Sequence, residues 1–488
     1  MSDSNLIKIV KGSTRIQVVI DRYSAYLSIL RDMLKRKLTD YTQDPRTKQW
    51  EVSYRYFTYD RVTSTILMPV NALPLVTEEL DAISAQYVIT NEERVKGRKI
   101  TTKMVSTFKP REAQLPVIDI MTNDNERVGI STATGSGKTI STLASIVKNS
   151  KCAMVIVSGL TDQWVRQALN FTNVGERIVL IQGIQSLIRL MEQDAKPDII
   201  VFSLETLRRY VNREENYQDL PRYEQFIKYF GVDMKIVDEC HMNFHAITII
   251  DLHSNIRKNI YLTATFTSSN PQTRRIFNMV YPASMIYGAD IRKKYIRIWS
   301  YTYRMFIPEK AYMRQRGYSH IALEKYLYKR PHKLDHFFET VLYPIVNSHY
   351  DEKCAPGQKC LVYFETINMV MAAKQWLEKT YKHRKVGVYI GGSEDEAYNK
   401  YEIICTTPGK AGVGTDIKNL YVLINTISFK SVTLAEQMPG RLRELPDGTT
   451  PEFIELVNAC VSPQMNHRIE RRPVHLKIAY EYKQAELP

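Results

Sequence analysis

Residues 128–147 combine an apolar strand signal, a glycine-rich loop and a helical segment, which is the context that a phosphate-binding loop needs. Residues 131–139 read Ser-Thr-Ala-Thr-Gly-Ser-Gly-Lys-Thr, and the glycines would let backbone N–H groups turn toward phosphates. Lys138 would reach the β- and γ-phosphates of a nucleotide, and Thr139 would ligate Mg²⁺. The general pattern opens with glycine where this chain has Thr132, and an ordinary glycine turn is the alternative. The residues predicted to bind the nucleotide here are Thr134, Gly135, Ser136, Gly137, Lys138 and Thr139.

Two acidic residues follow another apolar run farther along the chain. Residues 237–241 read Val-Asp-Glu-Cys-His, so Asp238 and Glu239 come at the carboxyl end of a buried strand, where open α/β sheets bind ligands. Asp238 suits the outer shell of Mg²⁺, and Glu239 suits positioning the attacking water. His241 would sense the γ-phosphate, and Cys240 is interpreted as a packing residue. A solvated acidic loop is the alternative, but with the upstream glycine loop the pair predicts hydrolysis of a nucleoside triphosphate.

The order of these and later motifs resembles that of superfamily 2 helicases. Residues 238–241 form a DExH box, and the segment that ends at Gln114 resembles the element in which a glutamine contacts adenine. The matching segments, in chain order, are residues 108–114 (upstream glutamine element), 133–139 (motif I), 238–241 (motif II), 262–265 (motif III), 406–416 (motif V) and 437–443 (motif VI). Within the superfamily, the chain resembles the phage UvsW-like branch-migration helicases.

The resemblance implies ATP as the nucleotide, Mg²⁺ as its metal, and a site to which two domains contribute. Motif VI would supply arginines from the second domain: Arg441 stands where the family places its first arginine. Arg443 comes one residue before the family's usual last arginine, a place that Glu444 takes here. A surface arginine pair on a helix is the alternative. The resemblance also implies a nucleotide contact for Asp416 and a coupling role for Thr263, Thr265 and Gln437.

Hydroxyl and basic residues after several strands are implied contacts for nucleic acid. They are Ser158, Ser203, Thr206, Thr366, Thr406, Lys410 and Gly414. Trp164, in the segment after Ser158, is interpreted as a core residue rather than a contact. Residues 300–335 are rich in tyrosine, arginine and lysine, which suits base stacking with backbone contact. A linker carrying an amphipathic helix at 321–328 explains them equally well.

Composition favours a polyanionic partner. The 488 residues carry a formal net charge of +15, which together with the helicase-like motifs indicates nucleic acid. The resemblance to UvsW-like helicases implies that this nucleic acid is DNA, above all forked or branched duplex. No apolar stretch reaches the roughly 18 residues of a membrane span. Six cysteines without Cys-x-x-Cys spacing predict reduced thiols and no zinc. We therefore expect a monomeric protein of the cytoplasm, or of the host cytoplasm if it is viral, with no targeting segment.

The strand-like and helical segments that carry these residues alternate along the chain. They predict an α/β fold with two RecA-like parallel-sheet domains and a small N-terminal α+β domain. The predicted domains are residues 1–98 (accessory, with a possible contact to duplex or branched DNA), 99–295 (first RecA-like), 296–458 (second RecA-like) and 459–488 (C-terminal tail). In the accessory domain, the sequence predicts a hairpin over 6–20 and a helix over 23–37. The basic residues of that helix fit either a DNA contact or a solvated face.

These features together predict an ATP-dependent DNA helicase or translocase that unwinds or branch-migrates forked or recombination-intermediate DNA. One alternative is an RNA-directed or transcript-release DExH ATPase. Another is a nucleic-acid-binding scaffold with an inactive ATP site, against which the intact Lys138 and Asp238–Glu239 argue. A restriction-enzyme motor subunit is a third, and the chain shows no nuclease motif to support it.

Overall fold

The computed structural model divides the chain into two compact units, Met1–Ile291 and Arg292–Pro488. The structure describes residues 6–21, 23–43, 49–94, 96–132, 136–159, 161–193, 196–264, 266–268, 270–288, 294–315, 317–393, 397–411 and 417–487. None of the helices in these ranges combines the length and the apolar character that a membrane span requires.

The first unit begins with a five-stranded mixed sheet, whose order is β5-β6-β2-β1-β7. Its elements are β1 (Ile7–Lys11), β2 (Arg15–Val19), α1 (Ala25–Lys37), β3 (Thr39–Gln43), β4 (Trp50–Arg55), β5 (Thr58–Asp60), β6 (Thr65–Pro69), α2 (Leu73–Ala82) and β7 (Tyr87–Asn91). The predicted hairpin is confirmed, because β1 and β2 pair antiparallel. The predicted helix is confirmed too: α1 is capped by Ser24 and buries Leu27, Leu30 and Leu34 at helical spacing.

A seven-stranded, all-parallel sheet forms the rest of the first unit, in the order β10-β11-β9-β12-β13-β8-β14. Its strands are β8 (Arg127–Ser131), β9 (Ala153–Val157), β10 (Ile178–Ile181), β11 (Ile199–Ser203), β12 (Met234–Asp238), β13 (Lys258–Thr263) and β14 (Ile286–Gly288). Its helices are α3 (Leu115–Thr122), α4 (Lys138–Asn149), α5 (Thr161–Phe171), α6 (Ile184–Glu192), α7 (Leu204–Val211), α8 (Tyr223–Phe230), α9 (Phe244–Leu252) and α10 (Pro271–Val280). Every residue of β9 is buried, as in a parallel sheet covered on both faces.

The turn between β1 and β2 forms hydrogen bonds with α9, the helix that follows the DExH box, and with the loop after α9. The Thr14 hydroxyl donates to the Asp251 carbonyl at 2.8 Å, and the Ser13 hydroxyl donates to the Ile256 carbonyl at 2.7 Å. The Asp251 carboxylate in turn accepts from the buried ammonium of Lys235 on β12. The small sheet and the parallel sheet therefore share one core, and a continuous polar path joins them through the strand that ends in the DExH box.

Arg15 completes this junction, and its loss should weaken the first unit. Its guanidinium pairs with Glu92 and Glu224, each at 2.6 Å, and donates to the Leu252 carbonyl at 2.7 Å. The side chain is 6% exposed, so Arg15→Ala leaves the Leu252 carbonyl and the largely buried Glu92 carboxylate without this donor. We expect the free energy of unfolding in urea to fall by about 3 kcal/mol. Arg36→Ala, which removes the exposed pair with Glu79, is the control, expected to cost under about 1 kcal/mol. Equal losses in the two variants would contradict a structural role for Arg15.

The second unit holds another seven-stranded, all-parallel sheet, in the order β19-β20-β18-β21-β22-β15-β23. Its strands and a small separate hairpin are β15 (Ile296–Tyr303), β16 (Met313–Arg314), β17 (Gly317–Tyr318), β18 (Lys359–Tyr363), β19 (Val386–Tyr389), β20 (Ile403–Thr406), β21 (Leu420–Asn425), β22 (Glu452–Asn458) and β23 (Ala479–Glu486). Its helices are α11 (Glu309–Tyr312), α12 (His320–Tyr328), α13 (Pro331–Phe337), α14 (Tyr343–Val346), α15 (Ile367–Thr380), α16 (Pro408–Ala411), α17 (Val432–Gln437) and α18 (Ser462–Ile478). The predicted fold class is confirmed.

The structure differs from the sequence prediction at residues 459–488, which were set apart as a tail. This segment forms α18 and the edge strand β23, and β23 pairs in parallel with β15. Arg471 on α18 is buried, and its guanidinium donates to Glu455 on β22 at 2.8 and 3.0 Å. One arginine of this segment, Arg471, thus anchors the helix to the sheet. Part of the tyrosine-rich segment is structural as well, because Tyr301 and Tyr303 lie in β15 and the helix predicted at 321–328 is α12.

His467 on α18 should make the second unit sensitive to acid. The imidazole is buried against Tyr318, and its Nδ1 lies 3.0 Å from the Ser428 hydroxyl. Burial lowers the pKa of His467 to about 4, and the charge of Arg471 acts in the same direction. Since an unfolded histidine takes up its proton near pH 6.5, the contribution of His467 to stability is present above that pH and is lost as pH falls toward 4.

We therefore expect acidification to destabilise the wild type more than a His467→Asn variant, whose side chain takes up no proton. Between pH 7 and pH 5 the difference should be on the order of 2 kcal/mol in the free energy of unfolding in urea. The exposed His332→Asn is the control and should follow the wild type. If His467→Asn and the wild type lose stability in parallel, His467 is not the sensitive group.

Candidate active site

The glycine loop ends at Gly137, directly before α4. Gly137 caps α4 with φ +87°, in the left-handed region that glycine adopts without strain. A Cβ on Gly137 would lie 2.3 Å from Nε2 of Gln114, so these two predicted nucleotide-binding residues are in direct contact. Gln114 is buried, and its Oε1 accepts from the Arg111 backbone N–H at 2.8 Å. Ser136 is exposed, whereas Thr134 and Gly135 lie outside the described residues.

Lys138 joins the glycine loop to the DExH box. It is the first residue of α4, where the helix presents its positive end. Its Nζ donates to Oε1 of Glu239 at 3.3 Å, and the two side chains are 10% and 17% exposed. Thr139 follows in the same turn and is half-buried. The strands β8 and β12, separated only by β13, bring these residues together because the carboxyl ends of parallel strands meet at one edge.

Asp238, the last residue of β12, is held through both carboxylate oxygens. Oδ1 accepts from the Glu239 backbone N–H at 3.1 Å, and Oδ2 accepts from the Trp164 indole N–H at 2.9 Å. Desolvation raises the pKa of Asp238 and the charge of Glu239 raises it further, whereas Lys138 and the indole N–H act in the opposite direction. The predicted core position of Trp164 is confirmed, since it is 3% exposed. Its contact with Asp238 was not predicted, and no local sequence signal indicates it.

Glu239 stands at a sharp turn after the strand. Its φ of +49° is unusual for a residue with a Cβ and costs on the order of 1 kcal/mol. The turn aims the side chain at Lys138, and Oε2 is buried without a hydrogen-bond partner among the described residues. A buried carboxylate oxygen with unused acceptor capacity can bind and orient a water molecule. Cys240 is fully buried, and burial raises the pKa of its thiol well above the ordinary value, as suits a packing residue.

A polar chain leads from Glu239 to the predicted coupling segment. Nδ1 of His241 lies 3.5 Å from Oε2 of Glu239 and 2.7 Å from Oγ1 of Thr263. Thr263 ends β13, so it belongs to the strand between the phosphate-loop strand and the DExH strand. The structure therefore places predicted coupling residue Thr263 beside the predicted catalytic residues. Thr265 lies outside the described residues.

The residues at this edge fit Mg²⁺ and a nucleoside triphosphate. Asp238 and Thr139 offer the oxygen atoms that Mg²⁺ prefers, and the α4 N-terminus with Lys138 offers positive charge for phosphates. Oε2 of Glu239 is the buried polar atom that a bound water would satisfy. Hydrolysis by a positioned water is the chemistry that this arrangement supports.

The predicted phosphate-contacting arginines of the second unit lie in or after a short 3₁₀ helix, Pro439–Arg441. Arg441 is buried. Burial raises the pKa of the nearby Tyr363 to about 12, and the positive charge of Arg441 acts in the opposite direction. Arg443 is half-buried and donates to the Leu442 carbonyl at 3.2 Å. Gln437, the last residue of α17, is buried. Asp416 lies outside the described residues.

The implied nucleic-acid contacts of the first unit differ in accessibility. Ser158 follows β9 and Ser203 ends β11, and both residues are half-buried. The Ser158 hydroxyl oxygen is itself buried and makes no hydrogen bond to a described residue. Thr206 is buried, and its hydroxyl accepts from the Gly183 backbone N–H at 2.8 Å. Ser158 and Ser203 therefore lie at the carboxyl edge of the sheet, whereas the Thr206 hydroxyl packs inside the domain.

In the second unit, Thr406 is fully buried in β20 and its hydroxyl donates to the Tyr389 carbonyl, so it is not presented for a phosphate. Thr366 caps α15 and accepts from the Met369 N–H at 3.4 Å. The backbone N–H of Thr366 donates to the buried Glu324 carboxylate at 2.7 Å, so a carboxylate of the protein occupies this helix end. The side chain of Lys410 and all of Gly414 lie outside the described residues.

Comparisons with known proteins place this geometry in context. Residues 96–268 match the family model described as ResIII, Type III restriction enzyme, res subunit. Similar solved structures include T4 UvsW, with 16% sequence identity over 99% of both chains and a TM-score of 0.37. Another is a DEAD box protein from the hyperthermophile Methanococcus jannaschii, with 15% identity, coverage of 79% of this chain and 99% of that chain, and a TM-score of 0.43. No curated protein matches this chain.

The segment that matches the family model contains Gln114, Lys138, Asp238, Glu239 and Thr263. Gln114 packs against Gly137 of the phosphate loop, and the other four residues lie along one edge of the first parallel sheet. Residues 96–268 are therefore similar to the res subunit of Type III restriction enzymes, and this similarity covers the residues predicted for nucleotide binding and hydrolysis in the first unit.

Proposed function

We propose that this protein is an ATP-dependent DNA helicase or translocase that remodels forked or branched DNA, with Mg²⁺ as its metal. The observation that carries the proposal is the contact of Lys138 Nζ with Oε1 of Glu239 at 3.3 Å, beside Asp238 at the carboxyl edge of a parallel sheet. A lysine on a helix N-terminus next to two carboxylates is the minimum set for binding a triphosphate and directing water to it.

Each residue has a distinct task in this proposal. Lys138 and the N-terminus of α4 bind the β- and γ-phosphates, and Gln114, packed on Gly137, contacts the adenine. Asp238 and Thr139 hold Mg²⁺, which neutralises phosphate charge when it is bound. Oε2 of Glu239 accepts a hydrogen bond from the attacking water and aligns it. Arg441 and Arg443 stay predicted γ-phosphate contacts.

The polar chain Glu239–His241–Thr263 is the proposed route by which the nucleotide state reaches the rest of the domain. His241 contacts Thr263 at 2.7 Å, and Thr263 ends a strand whose neighbours carry the phosphate loop and the DExH box. A change in the hydrogen bonding of Glu239 would therefore shift groups on three adjacent strands together. A contiguous chain of polar side chains is a physical means of coupling two sites when it has two arrangements, and we propose that the nucleotide selects between them.

A nucleic acid is the proposed partner because the chain carries a net charge of +15, and neutralised backbone phosphates supply most of the affinity for nucleic acid. DNA rather than RNA is proposed from the resemblance to UvsW-like helicases. The forked or branched form is proposed from the resemblance to UvsW-like helicases. Binding should weaken steeply as salt increases, since each phosphate contact releases counterions.

The stimulation of ATP hydrolysis by different nucleic acids tests this proposal. The rate should be measured with forked DNA, linear duplex DNA, single-stranded DNA and RNA at one salt concentration. We expect the strongest stimulation by forked DNA. Strongest stimulation by RNA would favour the RNA-directed alternative, and absence of hydrolysis with every nucleic acid would favour the scaffold alternative.

A further inference from the structure

We propose that Trp164 is a positioning residue for the metal-binding carboxylate: its indole N–H orients Asp238 and ties it to α5. This inference rests on the proposed function, because it concerns the Mg²⁺ ligand of the same site. It adds to the site a residue that the sequence analysis interpreted only as a core residue.

The geometry fixes Asp238 from two sides. The indole N–H of Trp164 donates to Oδ2 at 2.9 Å, and the backbone N–H of Glu239 donates to Oδ1 at 3.1 Å. With one donor on each oxygen, rotation of the carboxylate about its Cβ–Cγ bond breaks at least one hydrogen bond. Each oxygen keeps a second lone pair for a metal or its water shell. The pair of donors therefore orients the carboxylate without using up its capacity as a ligand.

The chemistry of the donor suits a metal site. An indole N–H is a neutral donor, so it holds a carboxylate without adding a positive charge that would repel Mg²⁺. Trp164 is 3% exposed, and a buried indole needs a partner for its N–H. A leucine or phenylalanine would fill the core at this position equally well by volume. The N–H is what this residue offers beyond packing.

Trp164 also connects the site to a segment implied in nucleic-acid contact. It lies in α5, which follows β9 and Ser158, whereas Asp238 ends β12, the strand that pairs with β9.

The test compares Trp164→Phe with Trp299→Phe. The first substitution keeps an aromatic ring and removes the donor to Asp238. The second removes an indole N–H that has no hydrogen-bond partner among the described residues. The readout is the affinity of a fluorescent ATP analogue with Mg²⁺ and with EDTA, on protein checked by thermal melting. We expect Trp164→Phe to lose about tenfold or more of the Mg²⁺-dependent gain in affinity and to bind as the wild type does in EDTA. Trp299→Phe should match the wild type in both.

An Asp238→Asn background separates positioning from packing. If Trp164 acts through the carboxylate, adding Trp164→Phe to Asp238→Asn weakens nucleotide binding no further. An equal loss in the two backgrounds, in Mg²⁺ and in EDTA alike, would show that Trp164 only packs, and would overturn the inference.

If Trp164→Phe does not fold, the inference can still be tested on a variant that retains Trp164. Replacing Trp50, Trp299 and Trp376 by phenylalanine leaves Trp164 as the sole tryptophan. Its fluorescence should change when Mg²⁺ is added to the nucleotide-bound protein, and an unchanged spectrum would overturn the inference. A wild type that neither binds nor hydrolyses ATP would instead defeat the proposed function, so the two failures are distinguishable.

Discussion

Glu239→Gln is expected to lower the kcat of ATP hydrolysis by about 10²- to 10⁴-fold while the affinity for ATP stays within about threefold. Glutamine keeps the size of the side chain and a hydrogen-bonding oxygen, but it removes the negative charge that polarises the attacking water. Glu239 meets Lys138 through Oε1 and leaves Oε2 without a hydrogen-bond partner among the described residues, so the charge is placed to act on a water. Steady-state kinetics measure the expected fall in kcat, and equilibrium binding measures the expected retention of affinity for ATP.

The exposed Glu176→Gln, a substitution of the same kind in the same unit, is the control and should be neutral. A Glu239→Gln protein that hydrolyses ATP at more than about a tenth of the wild-type rate would assign the water-positioning role to another residue. A large loss of affinity instead of rate would mean that Glu239 serves binding.

Lys138→Ala is expected to impair both binding and chemistry. The ammonium at the start of α4 would contact phosphate oxygens in the bound nucleotide and stabilise the charge that develops on them during hydrolysis. Its loss should reduce kcat by about 10²- to 10³-fold and weaken nucleotide affinity as well. This combined pattern differs from that of Glu239→Gln, which affects rate alone, so the two variants separate the roles of the paired side chains.

Lys148→Ala is the matched control, because Lys148 lies in the same helix and forms an exposed pair with Asp119. It should leave both constants unchanged. If Lys148→Ala and Lys138→Ala were equally active, the glycine loop would be an ordinary turn before a helix.

The sequence predicts the core of the site well, for a physical reason. The local residue pattern around Lys138 indicates a strand, a glycine loop and a helix. In the same way, an apolar run that ends in Asp238 indicates a buried strand. Parallel strands then oblige their carboxyl ends to meet, so the contact of Lys138 with Glu239 follows from the fold class. The left-handed φ of Gly137 follows equally from the loop pattern.

Contacts between distant segments were not predictable from local patterns. Nothing near Trp164 in the sequence indicates its hydrogen bond to Asp238, and nothing near Arg15 indicates its bond to Leu252. The same holds for Arg471, whose partner Glu455 lies on a strand and is not indicated by any residue near Arg471 in the sequence. Motif position also predicted a phosphate contact for Thr406, whereas its hydroxyl is used inside the sheet.

The remodelling of a labelled DNA fork tests the central claim most directly. Wild type, Glu239→Gln and Lys138→Ala should be incubated with the fork in ATP, and wild type also in a non-hydrolysable analogue. We predict that wild type in ATP separates or migrates the strands, and that both variants and the analogue leave the fork intact. Remodelling by Lys138→Ala, or by wild type with the analogue, would contradict the account, because strand movement would then not need hydrolysis at this site.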